Sequence, residues 1–183
     1  MKSFFSLIQS RRSSRKFKQE PVPQDVQKNL LQAALLSPAS KRSNPWEFIA
    51  IDDADTITKL SESKPHGAAF LAKAPFAVVV IADPEKSDVW VEDTSIASIY
   101  LQLAAEDLGL GSCWIQIHKR NHESGTSASE YIKQLLDIPA QFEVESIIAI
   151  GYKESDRKGA ELSDLLYERL HKGSFTKPFD ITT

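Results

Sequence analysis

The apolar positions fall into short blocks separated by polar turns. Phe76 to Ala82 is apolar throughout, the pattern of a central strand covered on both faces. Trp46 to Ile51, Ser112 to Ile117 and Val144 to Ile150 read as three more strands, closed by Asp52-Asp53, a polar loop at 119–127 and Gly151. Helical spacing of Val26, Leu30, Leu31, Ala34 and Leu35 predicts a helix over Gln24 to Leu36, ended by Ser37-Pro38. Shorter helices are predicted at Ala54 to Ser61 and Ala128 to Leu136. Residues 3–12 read as a short helix with cations in its last turn, and 160–170 as a possible further helix. Residues 62–75 are ambiguous, and 173–183 form a polar surface tail. The longest helix, Trp90 to Leu108, is apolar nearly all round over two turns, so it lies in the core or at a subunit interface. Four strands irregularly interleaved with five or six helices give an α+β or mixed α/β domain.

At 183 residues the chain is expected to form a single domain spanning 1–183, with no repeat or linker. Lys and Arg total 22 against 25 Asp and Glu. That balance does not fit a general nucleic-acid binder, which is usually net basic. No apolar run reaches the length of a membrane helix. Cys113 is the one cysteine, so no disulfide can form within the chain, and a reducing, cytoplasmic location is expected. Ser10-Arg11-Arg12-Ser13 is followed by polar residues rather than the apolar segment of an export signal, so the arginines need another explanation.

Two cationic clusters supply one. Arg11-Arg12-Ser13-Ser14-Arg15-Lys16 combines guanidinium forks, hydroxyls and backbone N–H groups, which match a phosphate monoester; Lys153, Arg157 and Lys158 follow a strand end. The alternative for both is a solvated charge run. Gly109-Leu110-Gly111 joins the long helix to a strand, either as a cap and tight turn or to present backbone donors to a ligand. His118 and His122 have the i, i+4 spacing of metal ligands, but they flank Lys119 and Arg120 in a polar loop, and no metal site is expected. No nucleophile motif, phosphate-binding glycine loop or carboxylate pair appears. The chain is therefore a binding protein or an enzyme whose cofactor carries the chemistry.

Taken in order, these segments resemble the nitroreductase-like family of FMN-dependent flavoproteins. The resemblance rests on Arg11-Arg12-Ser13-x-Arg15-x-Phe17, on Ser37-Pro38-Ala39-Ser40-Lys41-Arg42-Ser43-Asn44-Pro45-Trp46-Glu47-Phe48, on Leu108-Gly109-Leu110-Gly111-Ser112-Cys113-Trp114-Ile115, and on Ile148 to Tyr152 with Arg157 and Lys158. Arg42 and Asn44 stand where the family usually has Asn and Gln. The resemblance implies an α+β fold with a mostly antiparallel central sheet flanked by helices, and a homodimer with the long helix at its interface. Arg11, Arg12, Ser13 and Arg15 would hold the FMN phosphate and ribityl end, with Arg157 or Lys158 closing the clamp. Pro38, Ala39, Ser40 and Asn44 lie in the loop that would reach the flavin, the first three from the other subunit. Trp114, Ile115 and Gln116 would lie along the ring. The implied activity is ping-pong oxidoreduction, from NADH or NADPH to FMN and then to a nitroaromatic, quinone or similar small acceptor. A flavin carrier or sensor, and dehalogenation or flavin fragmentation on the same scaffold, are the alternatives.

Overall fold

The computed structural model describes residues 3–180. Four strands, β1 (Trp46–Ile51), β2 (Phe76–Ala82), β3 (Gly111–Gln116) and β4 (Glu143–Gly151), form one sheet in the order β1-β2-β4-β3. All three pairings are antiparallel. The five α-helices are α1 (Phe4–Ser10), α2 (Gln24–Leu35), α3 (Ala54–Ser61), α4 (Trp90–Asp107) and α5 (Ala128–Leu135). The architecture is α+β, one of the two that the apolar pattern left open and the one that the family resemblance implied.

Every residue of β2 is buried because the sheet is covered on both sides. Successive side chains alternate between faces. Ala77, Val79, Ile81, Ile147 and Ala149 pack with Ile57 and Leu60 of α3 and Ile132 of α5. Phe76, Val78, Val80, Ile148 and Ile150 pack with Leu30 and Ala34 of α2 and Leu101 and Ala105 of α4. An antiparallel sheet usually keeps one wet face; with both faces covered, β2 is apolar throughout and β4 is apolar from Ile147 to Ile150.

The register shifts between Val80 and Ile81, whose partners are Ser146 and Val144. Glu145 is therefore the extra residue of a β-bulge. Its carbonyl accepts from the N–H groups of both Ile117 and His118, each at 3.0 Å. Such a bulge re-aims a side chain, and here the side chain is a carboxyl.

Two regions depart from the sequence expectation, and an ambiguous one is resolved. The first helix stops at Ser10, and Arg11 is its extended C-cap (φ −58°, ψ 128°), so no cation lies in its last turn. The chain there is drawn to the sheet instead: Ser13 bridges Ser112 in parallel and Phe17 bridges Lys153 antiparallel. Segment 160–170 is not a helix but two short 3₁₀ turns, Leu162–Asp164 and Tyr167–Arg169. Leu162, Leu165, Leu166 and Leu170 are all exposed, and a helix this short forms only where its apolar face is packed. The ambiguous segment contains a 3₁₀ helix at Ala69–Lys73.

Helix α4 buries its polar side. Asp93, Thr94, Ser98, Gln102 and Glu106 are buried while Ile96, Ile99 and Tyr100 are exposed. Phe4, Phe5 and Ile8 of α1 and Leu35 of α2 are exposed as well. A groove of about 470 Å³ runs between these helices, lined by Phe4, Leu7, Ala33, Tyr100, Leu103 and Ala104. No helix among the described residues is long and apolar enough to cross a membrane.

The last residue of β4 tests how tightly the N-terminal stretch is seated. A Cβ on Gly151 would sit 2.6 Å from Cδ of the Pro75 ring and 3.1 Å from Cδ1 of Phe17. Neither ring can swing away freely, so Gly151→Ala should cost about 1–3 kcal/mol of stability by overpacking, measurable by denaturant unfolding.

Candidate functional site

The order of strands leaves one side of β3 open. Ser112 accepts the Ser14 N–H at 2.9 Å, and Gln116 accepts the Lys64 ammonium at 2.9 Å, both through backbone carbonyls. Ile117, of opposite parity, bonds back to β4. Backbone groups alternate in direction along a strand, so Ser112, Trp114 and Gln116 point theirs to the open side. Between the two bonded ends, about 13 Å apart at a strand's rise per residue, the Trp114 backbone groups and the Gln116 N–H are presented outward. Ile115 faces the other way, with its side chain in the core at 1% exposure.

The two cationic clusters meet at the Ser112 end. Arg157 donates through Nη1 to the Ser13 carbonyl at 3.3 Å, across 144 positions of sequence. A recess of about 290 Å³ opens there, lined by Ser13, Ser14, Arg15, Lys16, Ser155 and Arg157, none of them acidic. Arg11 lies close enough to act electrostatically on Cys113, as do Arg15 and Lys64. Its Nη1 is buried and has no hydrogen-bond partner. Leaving a guanidinium N–H of this kind unpaired is costly, so the arrangement calls for an anion. Arg12 is spent differently: Nε donates to the Lys158 carbonyl at 3.2 Å and Nη1 to the Arg11 carbonyl at 2.7 Å. Lys158 pairs with Glu161 at 2.9 Å and is largely exposed. These two residues brace the recess rather than line it.

At the Gln116 end a part-buried polar network lies behind the edge. The Trp114 indole N–H donates to Gln116 Oε1 at 2.9 Å, and Gln116 Nε2 donates to Glu145 Oε1 at 3.1 Å. An indole nitrogen can only donate, which fixes the orientation of the Gln116 amide and turns its NH₂ toward Glu145. Glu145 is 2% exposed and its Oε2 has no partner. Burial pushes its carboxyl above the ordinary range; the Gln116 bond and the positive groups of His118 and Lys119 oppose that shift without cancelling it, and Glu92 on α4 adds to it. Burial likewise raises the Cys113 thiol, with Arg15, Arg11 and Lys64 and a hydrogen bond with Ser13 opposing.

With this geometry in place, the likeness to other proteins is specific. The sequence profile of the Nitroreductase family matches residues 8–64 and 61–152. The chain belongs to the nitroreductase family. A relative from Archaeoglobus fulgidus, provisionally named an NADH dehydrogenase/NAD(P)H nitroreductase, is 32% identical over 94% of this chain and 98% of its own. The solved structure of an FMN-dependent nitroreductase from Clostridium difficile R20291 superposes with a TM-score of 0.92 at 44% identity, covering 94% of this chain and 100% of that one. An NADPH:FMN oxidoreductase from Vibrio harveyi, solved with NAD+, shares the fold at a TM-score of 0.78 and 18% identity.

The remaining family-type positions lie apart from the recess. Pro38, Ala39, Ser40 and Asn44 belong to a loop anchored on α4: Asp93, 2% exposed, accepts from the Ser40 N–H at 2.8 Å and the Ser87 hydroxyl at 2.8 Å. Lys41, Arg42 and Asn44 all adopt positive φ, at 53°, 56° and 43°. His118 packs edge-on against Trp90 and His122 stacks on Tyr131, so the two rings serve separate contacts.

Sequence reasoning missed Ser155, Lys64, Asp93 and Glu145. Ser155 adjoins residues it did single out. The other three become visible only once the loops and the bulge are placed.

Glu145 makes a pH-dependent prediction. A carboxyl whose folded pKa is raised stabilises the fold below its unfolded pKa, and that contribution is lost as pH rises through the folded value. Glu145→Gln keeps the acceptor for Gln116 and is neutral at every pH. Its melting temperature should exceed that of the wild type at pH 8, and the difference should shrink toward pH 4, as followed by thermal denaturation across that range.

Proposed function

We propose that this chain is an FMN-dependent NAD(P)H oxidoreductase that works as a homodimer. The observation that carries the reading is the recess at Ser112. Arg15 and Arg157 converge there with serine hydroxyls and no lining acid, and the buried, unpartnered Arg11 nitrogen belongs to the same N-terminal segment, close enough to act on Cys113. A phosphate monoester fits this donor set, since it has several acceptor oxygens and nearly two negative charges. The names of the Clostridium difficile and Archaeoglobus fulgidus relatives support FMN and a nicotinamide donor.

Arg11, Arg15, Arg157 and Ser13 hold the phosphate and ribityl end, and Arg12 and Lys158 keep the two supporting segments together. Trp114 and Gln116 present backbone edges to the ring, while Ile115 contributes the strand that carries them. Pro38, Ala39, Ser40 and Asn44 come from a loop whose place at the ring is completed across the dimer. Bound FMN supplies hydride and electron transfer between NADH or NADPH and a small organic acceptor such as a nitroaromatic or quinone, in two half-reactions at one site. The chain's own residues bind and orient the ring and offset negative charge, so no side-chain acid or base is assigned. One FMN-binding domain spans 1–183, and a cytoplasmic setting suits its single buried thiol.

Purified protein mixed with FMN and desalted should keep the flavin absorption bands, and NADPH or NADH under argon should bleach them. Retained bands that do not bleach would favour a flavin carrier or sensor, and no retained flavin would sink the reading. Arg157→Ala should weaken FMN binding by roughly 10-fold or more, the worth of a hydrogen bond to a charged group, in a fluorescence titration.

The dimer is placed on the exposed apolar face of α4, α1 and α2. A charge at its centre would be left unpaired on association. Ile99→Glu should therefore move the sedimentation coefficient from dimer to monomer and lower FMN affinity together.

A further inference from the structure

The Gln116 end of the open edge carries a second cationic pair that the phosphate does not explain. Lys64 sits in the turn after α3, half-buried, with its ammonium on the Gln116 carbonyl at 2.9 Å. Burial and the neighbouring charge of Arg120 hold its pKa below the ordinary lysine value. No carboxylate pairs with Lys64 or Arg120 among the described residues. Arg120 is exposed, and its Nη1 reaches only the Lys119 carbonyl at 3.2 Å. Lys119 itself adopts positive φ, at 58°, where the chain turns out of the sheet. Lys64 on the Gln116 carbonyl and Arg120, whose backbone N–H donates to the Ile117 carbonyl at 2.9 Å, thus bring two cations from separate loops to the same strand end, in a chain whose net charge is −3. Other lysines in similar settings are neutralised: Lys153 pairs with Glu106 at 3.1 Å and Lys133 with Glu130 at 3.5 Å. Like charges brought together without a counter-ion are destabilising unless a ligand supplies the anion. The Gln116 carbonyl that holds Lys64 lies about 13 Å along the strand from the Ser112 carbonyl at the recess, too far for both ends to share one phosphate group.

We propose that Lys64 and Arg120 form an anion subsite at the Gln116 end of β3 that receives a carboxylate or phosphate carried by the molecule that reacts with the flavin. The proposal rests on the flavin reading above. The anion has two chemical sources: an acidic substituent on the electron acceptor, or the 2′-phosphate of the nicotinamide donor.

The test uses the FMN-loaded full-length protein and the variants Arg120→Gln and Lys64→Met. Arg120 is exposed, so its variant should fold; circular dichroism checks both. Dissociation constants for benzoate against benzamide, and for NADP+ against NAD+, are read from perturbation of the flavin absorption bands. The expected result is a wild-type preference for the anionic member of at least one pair. That preference should fall by roughly tenfold in Arg120→Gln, by the worth of a charge-assisted hydrogen bond, while neutral ligands bind as before and FMN affinity stays within about twofold of the wild type. The benzoate pair identifies an acidic acceptor as the source, and the NADP+ pair the donor's phosphate. Equal binding within both pairs would overturn the proposal. So would a preference that survives in both variants, or a loss of FMN affinity in step with it, which would assign the cations to the flavin itself. A wild-type protein that retains no FMN at all is a different failure: it defeats the cofactor reading, and the subsite falls with it.

Discussion

An edge strand has to do something with the row of N–H and C=O groups it turns away from the sheet. In this fold one such row belongs to β3, at the edge opposite β1, and much of the site follows from how it is satisfied. The Ser112 end is closed by the chain after α1, which abandons helix at Arg11 to bond through Ser14 and to seat Phe17, 1% exposed, in the core. That closure brings Arg11, Ser13 and Arg15 to the strand. Gly111 permits it: a Cβ there would lie 2.5 Å from Lys153 Cγ and 2.7 Å from Ser14. The Gln116 end is closed by a lysine side chain instead of backbone. Covering the middle with protein would protect the edge but would also remove the backbone donors of Trp114 and Gln116.

The sheet was legible because its inner strands are covered on both faces, which forces an unbroken apolar run in β2 and nearly one in β4. The N-terminal cations were legible as chemistry but misplaced as structure. Their position after Phe4, Phe5, Leu7 and Ile8 suggested a helix end, whereas pairing with Ser112 drew them into extended chain. The leucines of 160–170 carried helical spacing without a surface to bury it. Glu145 was illegible for a different reason. In Glu143-Val144-Glu145-Ser146 it reads as one more polar residue at the start of a strand, and only the register shift opposite Val80 and Ile81 reveals that its carboxyl turns inward. Bulges depend on the partner strand, so a single segment carries no signature of one.

Helix α4 shows how one polar face can organise several segments. Ser98 meets Ser146 of β4 at 3.1 Å. Glu106 takes the Lys153 ammonium at 3.1 Å and the Ser10 hydroxyl at 3.1 Å, tying the end of α1 to the end of β4. Asp93, near the other end of the helix, holds the loop after α2 through Ser40. Asp93, Ser98 and Glu106 are each paired, which is the condition under which polar burial specifies a structure instead of destabilising it. The apolar side of the same helix is left outward by this arrangement, next to the exposed phenylalanines of α1. A helix that spends its polar side on its own chain has only its apolar side left for a second copy.

The loop held by Asp93 carries the clearest backbone strain in the molecule. Three residues other than glycine, Lys41, Arg42 and Asn44, lie in the left-handed region, where a side chain costs roughly 1–2 kcal/mol and asparagine less. Glycine at 41 and 42 would relieve the strain, so its persistence means that the position of the side chains, or of the backbone that bears them, is what the loop preserves. Arg42 and Asn44 are also the positions that the family resemblance set against Asn and Gln. The departure is thus confined to residues already held in a fixed conformation at both ends, by Ser40 on Asp93 and by Trp46, which pairs with Ala82 in the sheet. A rigid frame with altered side chains changes what a site accepts while leaving how it is assembled intact.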